Sequence, residues 1–241
     1  MTSETTTTTL AFADSARGLY GFASSAGLTA LFRDSQLVEV SDSPALAMTL
    51  DVPLSRWSVG WEGADCGFDV VASAASAPVD GPAGTEWLVD VVGSVRFGDS
   101  SVDVEALGQV SSSGVEASAS STRSVGVWLG GGGIVLESAG DHGGDDVWAA
   151  LIEDGAPVAV LDPRLSTTYD GDGHQRRAGL ELWLTEEDGY PVRAAGEVIC
   201  GSSLDLDDGR LDLAFFRWRS GGVEGVGRYD ILRRSGSELH H

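Results

Sequence analysis

Hydrophobic and polar residues alternate along most of this chain with a period of two. The alternation is plain in segments 56–61, 67–71, 86–97, 180–184 and 211–218. In the first of these, Trp57, Val59 and Trp61 fall on one face, and Arg56 falls on the other. Because alternation over about four to eight residues is typical of a half-buried strand, the pattern predicts an all-β protein.

Turn residues separate these segments at short, regular intervals. Asp-Gly pairs stand at Asp154-Gly155, Asp188-Gly189 and Asp208-Gly209, and glycine accepts the positive φ of a tight hairpin turn. The spacing predicts about sixteen antiparallel strands, which is more than one small barrel holds. We therefore expect two consecutive barrel-like lobes, residues 10–122 and residues 123–234, divided near Ser120.

Four segments carry more specific expectations. The segment from Asp145 to Glu153 fits a short helix or a strand that runs into a turn, and we favour the strand. We expect a frayed end at Thr5 to Thr9 and a loop from Ala72 to Gly84. The strand that begins near residue 101 is expected to end at Gln109, with the serines that follow it in a loop.

The charge of the chain is strongly negative. There are 37 Asp and Glu residues against 15 Lys and Arg, the net charge is −22, and every basic residue is arginine. At molar salt the Debye length is about 3 Å, so the self-repulsion of such a surface is largely screened. The composition predicts a halophilic protein, and no segment resembles a secretory signal, so we expect the cytoplasm.

This composition argues against several functions. Nucleic acid and anionic membrane surfaces bind through clustered Lys and Arg. Here the arginines are scattered, with small clusters only at Arg176-Arg177, Arg217/Arg219 and Arg233-Arg234. The absence of lysine excludes a Schiff-base enzyme and an intact Walker A loop. No apolar run reaches the length of about 18 residues that a membrane span needs, and we expect no cofactor.

One segment has part of a metal-binding pattern. Asp170, Asp172 and Glu181 occupy positions 1, 3 and 12 of a calcium loop, but Gln175 stands where that loop requires glycine. We therefore expect an Asp-Gly hairpin turn there and no metal site. His142 and His174, each in a glycine-rich loop, are expected to be solvated.

Four motifs in the second half of the chain resemble a known family. They are Asp162-Pro163-Arg164-Leu165-Ser166-Thr167-Thr168-Tyr169-Asp170, Arg176-Arg177-Ala178-Gly179-Leu180-Glu181-Leu182-Trp183, Arg193-Ala194-Ala195-Gly196-Glu197 and Gly225-Val226-Gly227-Arg228-Tyr229-Asp230. They resemble an actinobacterial and haloarchaeal family that is distantly similar to the carotenoid hydratase (hydroxyneurosporene synthase) and AttH-like group. The resemblance implies two lipocalin-like lobes and an apolar cavity for isoprenoid-like or other lipophilic molecules.

The chain departs from this family at the position where chemistry is expected. Relatives follow the equivalent of Gly108-Gln109 with a histidine and a tryptophan, whereas here those positions fall between Ser111 and Val115. A serine hydroxyl is a poor proton donor for the hydration of a double bond. The resemblance therefore implies a protein that binds a lipophilic small molecule, isoprenoid-like or fatty-acid-like, in a β-barrel cavity, without catalysis.

Aromatic residues in the strand-like segments are the candidate ligand contacts, because inward-facing residues line the interior of a barrel. The candidate ligand contacts include the glutamine that precedes the serines at which the chain departs from the family. The full set is Trp57, Trp61, Gln109, Trp128, Trp183, Phe216 and Trp218. Each aromatic residue also fits a purely structural role in a hydrophobic core.

The alternative function is a hydratase, isomerase or cyclase that acts on an isoprenoid-like substrate by carboxylate acid-base chemistry. The candidate acids are Glu105, Glu181 and Asp212, provided that burial raises the pKa of one of them beside Tyr169 or Tyr229. A third interpretation is a structural or interaction module in which both lobes are filled by side chains.

Overall fold

The computed structural model describes residues 6–42, 46–113, 119–140, 145–185 and 189–234. These residues form nineteen β-strands, and none of them lies in a helix, so the predicted all-β class is confirmed. The strands are β1 (Thr7–Asp14), β2 (Leu19–Ser24), β3 (Leu28–Arg33), β4 (Gln36–Asp42), β5 (Leu46–Val52), β6 (Arg56–Glu62), β7 (Cys66–Ala74), β8 (Val79–Asp80), β9 (Gly84–Phe97), β10 (Ser100–Ser113), β11 (Ser121–Leu129), β12 (Gly132–Gly140), β13 (Asp145–Glu153), β14 (Ala156–Ala159), β15 (Asp162–Tyr169), β16 (Gln175–Trp183), β17 (Val192–Leu206), β18 (Gly209–Ser220) and β19 (Val223–Arg234).

The strands form two antiparallel sheets with the same topology. The first has the order β4-β3-β2-β1-β10-β9-β7-β6-β5, with β8 added beside β9. The second has the order β14-β13-β12-β11-β19-β18-β17-β16-β15. In each sheet the first and last strands of the unit pair with each other, β1 with β10 and β11 with β19.

Each sheet belongs to its own compact unit, the first lobe (β1 to β10) and the second lobe (β11 to β19 with Gly81–Ala83). The expectation of two consecutive lipocalin-like lobes is confirmed. The exact boundary, between residues 122 and 123, stays a prediction.

Side-chain contacts between distant strands show that both sheets curl. In the first lobe, Glu39 on β4 accepts a hydrogen bond from the Cys66 thiol at the start of β7, with Oε2 and Sγ 3.1 Å apart. In the second lobe, the hydroxyl groups of Thr167 on β15 and Tyr229 on β19 are 2.7 Å apart. Along the sheet, five strands lie between β4 and β7, and three lie between β19 and β15, so each contact crosses the inside of the curl.

The inner face of each curled sheet carries a hydrophobic core. In the first lobe, Phe12 meets Phe68 edge to face with ring centroids 5.6 Å apart, and Trp61 packs on the same Phe68 at 5.5 Å. In the second lobe, the rings of Phe216 and Trp218 are stacked at 5.6 Å. Each aromatic side chain of this size contributes about 2 to 3 kcal/mol to the free energy of unfolding when it is fully buried.

The structure shows which form is adopted by the segment after residue 145 and by the loop expected after residue 72. Asp145–Glu153 is strand β13, as predicted, and Asp154 and Gly155 form the expected turn with φ values of 49° and 76°. The loop that was expected from Ala72 to Gly84 begins later, since β7 continues to Ala74, and it contains the short strand β8.

Two expectations at one sheet position were wrong. Thr7 to Thr9 are not frayed, and the strand does not end at Gln109, because Ser111 to Ser113 continue β10 and pair with those threonines. The same serines also pair with residues 84–86 of β9. Main-chain hydrogen bonds on both sides order a polar segment that its composition marks as a loop.

Close backbone approach in the second lobe requires glycine. A Cβ atom on Gly227 of β19 would lie 1.9 Å from the carbonyl oxygen of Gly126 on β11. Gly196 lies under the ring of Trp218, where a Cβ would be 2.7 Å from Cε3. Both glycines let neighbouring groups approach to a distance that no other residue permits.

Replacing Gly227 by alanine should therefore destabilise the second lobe. Gly227→Ala must displace main chain at the β11–β19 pairing, and we expect a loss of about 1–3 kcal/mol in the free energy of unfolding. Gly130→Ala is the matched control, because no atom lies within 4 Å of its added Cβ. Chemical denaturation measures both variants, and equal losses would contradict the close approach.

A buried ion pair lies on the outer face of the second sheet. Arg228 and Asp230 on β19 are 4% and 7% exposed, and Nη1 of Arg228 is 3.3 Å from Oδ2 of Asp230. Burial raises the pKa of Asp230 to about 6, although the charge of Arg228 acts in the opposite direction. The ordinary pKa of an aspartate is about 3.9.

This shift predicts a pH dependence of stability. Because the folded state holds the Asp230 proton more tightly, this carboxyl group favours folding below about pH 4, and its contribution is lost as the pH rises through about 6. Relative to Asp230→Asn, the wild-type protein should lose about 3 kcal/mol of unfolding free energy as the pH rises from well below about 4 to well above about 6. Denaturation at several pH values measures this difference, and Asp207→Asn, at an exposed position, serves as the surface control. A flat difference for Asp230→Asn would contradict the raised pKa.

Candidate functional site

The predicted ligand contacts are divided between the two faces of the sheets. Four of them belong to the inner hydrophobic cores: Trp57 and Trp61 in the first lobe, and Phe216 and Trp218 in the second. The other three, Gln109, Trp128 and Trp183, have the opposite strand parity and lie on the outer faces.

Each of these three outer residues has its own partner. Gln109 is fully buried and donates a hydrogen bond to Glu86. Trp128 packs against Phe215 with ring centroids 6.4 Å apart. The guanidinium of Arg164 lies 5.9 Å from the ring centroid of Trp183. None of the three reaches a lobe interior.

The candidate carboxylates separate in the same way. Glu105 is exposed on the outer face of β10, and Glu181 lies on the outer face of β16, where it accepts a hydrogen bond from Arg193 at 3.1 Å. Asp212 is 2% exposed and faces inward, since it pairs directly with Ile231 of the inner core. Of the three carboxylates, only Asp212 faces the inside of a lobe.

The interior of the first lobe is apolar and rich in aromatic rings. Trp57 and Trp87 pack with ring centroids 5.2 Å apart. The indole N–H groups of Trp61 and Trp87 are buried and have no acceptor among the described residues. Cys66, whose thiol bonds to Glu39, is kept protonated because burial raises its pKa to about 12.

The interior of the second lobe has one polar end. Residues that pair directly in antiparallel strands point to the same face, and the pairing gives a row across five strands. The row is Ser138, Arg123, Ile231, Asp212 and Ser203, on β12, β11, β19, β18 and β17. We call these residues, with their inward-facing neighbours Arg210, Arg233, Thr167, Tyr169 and Tyr229, the polar end.

Asp212 is the centre of a hydrogen-bond network at the polar end. Arg210 donates from Nε to Oδ1 at 2.8 Å, and Ser203 donates to the same oxygen. Arg233 donates from Nη1 to Oδ2. Arg210 also donates from Nη2 to Ser203 at 2.6 Å and to Nε2 of His174 at 3.0 Å. Both carboxylate oxygens are thus bonded to charged donors.

The buried side chain of Gln175 joins Asp212 to Tyr229. The ladder between β18 and β19 is interrupted after the Asp212–Ile231 pair and resumes at Phe215–Arg228. At this gap, Nε2 of Gln175 donates to the main-chain oxygens of Asp212 and Tyr229, both at 3.2 Å. Gln175 therefore holds the strand that carries the carboxylate against the strand that carries the phenol.

Tyr229 lies where the polar end meets the apolar core. Its ring packs 5.7 Å from that of Phe216, and its hydroxyl bonds to Thr167. Burial and the neighbouring Tyr169 raise the pKa of Tyr229, and the hydrogen bond from Thr167 only partly opposes this. The phenol is therefore neutral at physiological pH and can both donate and accept a hydrogen bond.

The hairpin between β15 and β16 borders the polar end and matches the predicted Asp-Gly turn. Oδ1 of Asp170 accepts hydrogen bonds from the main-chain nitrogens of Asp172 and His174, at 3.0 and 2.9 Å, and these bonds lower the pKa of Asp170. A carboxylate oxygen of Asp170, one of Asp172 and a ring nitrogen of His174 lie within 4.8 Å of one another. Glu181, the twelfth position of the calcium pattern, lies on the outer face instead.

Sequence reasoning missed most of the polar end. Only Asp212 was a candidate, with Tyr169 and Tyr229 as its possible neighbours. Ser138 and Ser203 belong to no motif. Thr167 lies in a family motif and Gln175 in the calcium pattern, but neither pattern indicated this role, because these residues meet only when the sheet curls. The one usable signal was strand parity, which places Arg210 and Asp212 on the same face as Phe216 and Trp218.

Comparison with solved structures finds the same fold. CghA in complex with Sch210972 superposes with a TM-score of 0.67 at 13% identity, covering 97% of this chain and 89% of that one. Kievitone hydratase from Nectria haematococca has a TM-score of 0.67 at 10% identity, covering 94% and 88%. A second CghA structure has a TM-score of 0.64 at 14% identity, covering 99% and 90%. At such identities the likeness shows the double lipocalin-like architecture.

Sequence comparisons add no family. No family model matches the chain, and no curated protein matches it. Among the described residues there is also no helix with the length and apolar character that crossing a membrane requires.

The role of Gln175 leads to a test. In Gln175→Leu two buried carbonyl oxygens lose their side-chain donor, and we expect the free energy of unfolding to fall by about 1–3 kcal/mol. Gln36→Leu, at an exposed position of β4, is the control and should change stability little. Thermal and chemical denaturation measure both variants, and a neutral Gln175→Leu would remove this residue from the site.

Proposed function

We propose that the protein binds a lipophilic small molecule inside the second lobe and does not transform it. The observation that carries this proposal is the junction in that lobe of an apolar aromatic wall with a polar end that holds buried hydroxyl groups and partly exposed guanidinium groups. Small-molecule sites are typically apolar surfaces with a few convergent polar groups.

The aromatic wall is formed by Phe216, Trp218 and Tyr229. Phe216 lies between the other two rings, and all three side chains are fully buried. The indole N–H of Trp218 has no acceptor among the described residues. A buried donor without an acceptor costs about 1–3 kcal/mol, which a ligand oxygen would recover.

Binding without catalysis is supported by the state of Asp212. Its oxygens already accept hydrogen bonds from Arg210, Arg233 and Ser203. Charge-assisted bonds of this kind stabilise a carboxylate as the anion and so disfavour proton donation. The serines at the departure from the related family, Ser111 to Ser113, pair on both sides within the first sheet.

The alternative is a hydratase, isomerase or cyclase acting on an isoprenoid-like substrate. Kievitone hydratase, which shares the fold, is named for a hydration reaction. In this chain the alternative would depend on Asp212 and the Tyr229 phenol, since Glu105 and Glu181 face away from both interiors.

Two neighbouring phenylalanines of β18 provide a matched test of binding. Phe216 faces the interior of the second lobe and Phe215 faces outward, and both are fully buried. Phe216→Leu should weaken the binding of isoprenoid alcohols or fatty acids about five- to tenfold through lost ring contact, a change of roughly 1 kcal/mol. Phe215→Leu should leave binding within about twofold.

The measurement is quenching of tryptophan fluorescence, supported by native mass spectrometry, in molar salt as the acidic composition predicts. Denaturation of both variants establishes that each is folded under the assay conditions. Absence of binding across a panel of isoprenoids and fatty acids would overturn the proposal. Turnover of a bound isoprenoid that Asp212→Asn abolishes would favour the enzymatic alternative.

A further inference from the structure

Arginine residues gather at the polar end of a chain whose net charge is −22. Arg210 and Arg233 are directly opposite each other on β18 and β19, so their side chains leave the same face. Arg123 on β11 lies on that face as well, one pair further along. Three guanidinium groups therefore approach one another at the interior of the second lobe.

In the described part of the chain, Arg210 and Arg233 have one carboxylate between them. Asp212 is the carboxylate to which Arg210 and Arg233 are both bonded. Asp205, opposite Arg210 on β17, is exposed and forms no ion pair with it in the described part of the chain. Asp170 interacts with His174 and Arg176 in the hairpin. Two arginines thus share a single carboxylate.

The neighbouring positive charges affect the pKa of Arg233. Its pKa is lowered by burial first and then by the charges of Arg210 and Arg123, while Tyr169 acts in the opposite direction. Repulsion between these partly exposed guanidinium groups is unfavourable, and an added anion would relieve it.

Hydrogen-bond donors remain at the same place. Arg233 has five N–H donors, of which one is bonded to Asp212, and the described residues provide no other acceptor for its side chain. The hydroxyl of Ser138 is 3% exposed, belongs to the same row, and has no partner among the described residues. Planar guanidinium donors of this kind match a carboxylate in a bidentate geometry.

We propose that the polar end binds the carboxylate of an amphipathic ligand through Arg233, Arg210 and Ser138, while its apolar chain lies along Phe216 and Trp218. This inference rests on the proposed binding function and narrows it to lipophilic carboxylic acids over neutral lipophiles. The Tyr229 phenol, at the junction of the two regions, can add a hydrogen bond to the carboxylate.

The rim of the polar end gives such a ligand a route to the arginines. The side chains of Arg210, Arg233 and His174 are 42%, 36% and 43% exposed, and Tyr169 is also exposed, whereas Asp212 and Tyr229 behind them are buried. A carboxylate that arrives from solvent can therefore reach a guanidinium without first breaking the Asp212 network.

The test compares two probes that differ only in the head group, dodecanoate and dodecan-1-ol, below their aggregation limits and at about pH 8, where the acid is ionised. Titration calorimetry on the full chain should give about tenfold tighter binding of dodecanoate, the value of one charge-assisted hydrogen bond. Arg233→Gln should remove most of this preference and leave dodecan-1-ol binding within about twofold. Arg233→Lys should retain part of it, since the charge is kept but the planar donor pair is lost.

Arg219→Gln is the matched control, because Arg219 is exposed at the other end of β18 and pairs with Glu224. It should change neither affinity. If Arg233→Gln fails to fold, Ser138→Ala provides the same comparison without removing a charge, with a smaller loss for dodecanoate alone.

Each outcome separates this inference from the function on which it rests. Equal affinities for dodecanoate and dodecan-1-ol in the wild-type protein would overturn the carboxylate site and leave lipophile binding intact. Binding of neither probe would overturn both. An equal loss of dodecanoate affinity in Arg219→Gln would show a general charge effect and overturn the site. Loss of dodecanoate binding in the presence of an equal concentration of acetate would do the same.

Discussion

The register of the β11–β19–β18 ladder is the constraint on which the second lobe depends. A strand exposes alternate residues on alternate faces, so a shift of one residue would turn every inward side chain outward. In the observed register, Arg123, Ile231 and Asp212 lie in one row and the aromatic rings follow along the same face. The close approach of Gly227 to Gly126 lets β19 lie against β11 in this register.

The interrupted ladder between β18 and β19 shows how a polar group can replace main-chain pairing. Where the two strands separate, the amide of Gln175 supplies the donor that both carbonyl oxygens need. A buried carbonyl without a donor is costly, so this side chain and the curl that delivers it from β16 stabilise each other. The polar end is consequently tied to the fold by hydrogen bonds as well as by packing.

The two lobes repeat one topology and differ inside. In the first lobe, apolar rings such as Trp57 and Trp87 pack on one another, and the polar residues Gln109 and Glu86 lie on the outer face. In the second lobe, the carboxylate of Asp212 occurs at an inward position with its arginine partners. A charge at an inward position is expensive unless it is paired, which explains why the acid and the arginines occur together. The difference in chemistry between the lobes follows from a few inward positions.

Alternation and turn chemistry predicted the strands well, because both depend on neighbouring residues. The strand at Arg56–Glu62, the turn at Asp154-Gly155 and the hairpin at Asp170 were all predictable from local patterns. Thr7 to Thr9 and Ser111 to Ser113 were not, since only their pairing with each other makes them strands.

The predicted ligand residues were divided between two faces for a related reason. In the sequence, Trp128 and Phe216 are both aromatic residues in apolar strands. The direction in which the second sheet curls places Trp128 outside and Phe216 inside. The sequence by itself determined the all-β class, the two-lobe plan and the acidic surface, because period, turns and charge are properties of short segments. Only the tertiary structure decided that Asp212, Gln175, Tyr229 and three arginines meet, because curling a sheet brings together strands that are far apart in the chain.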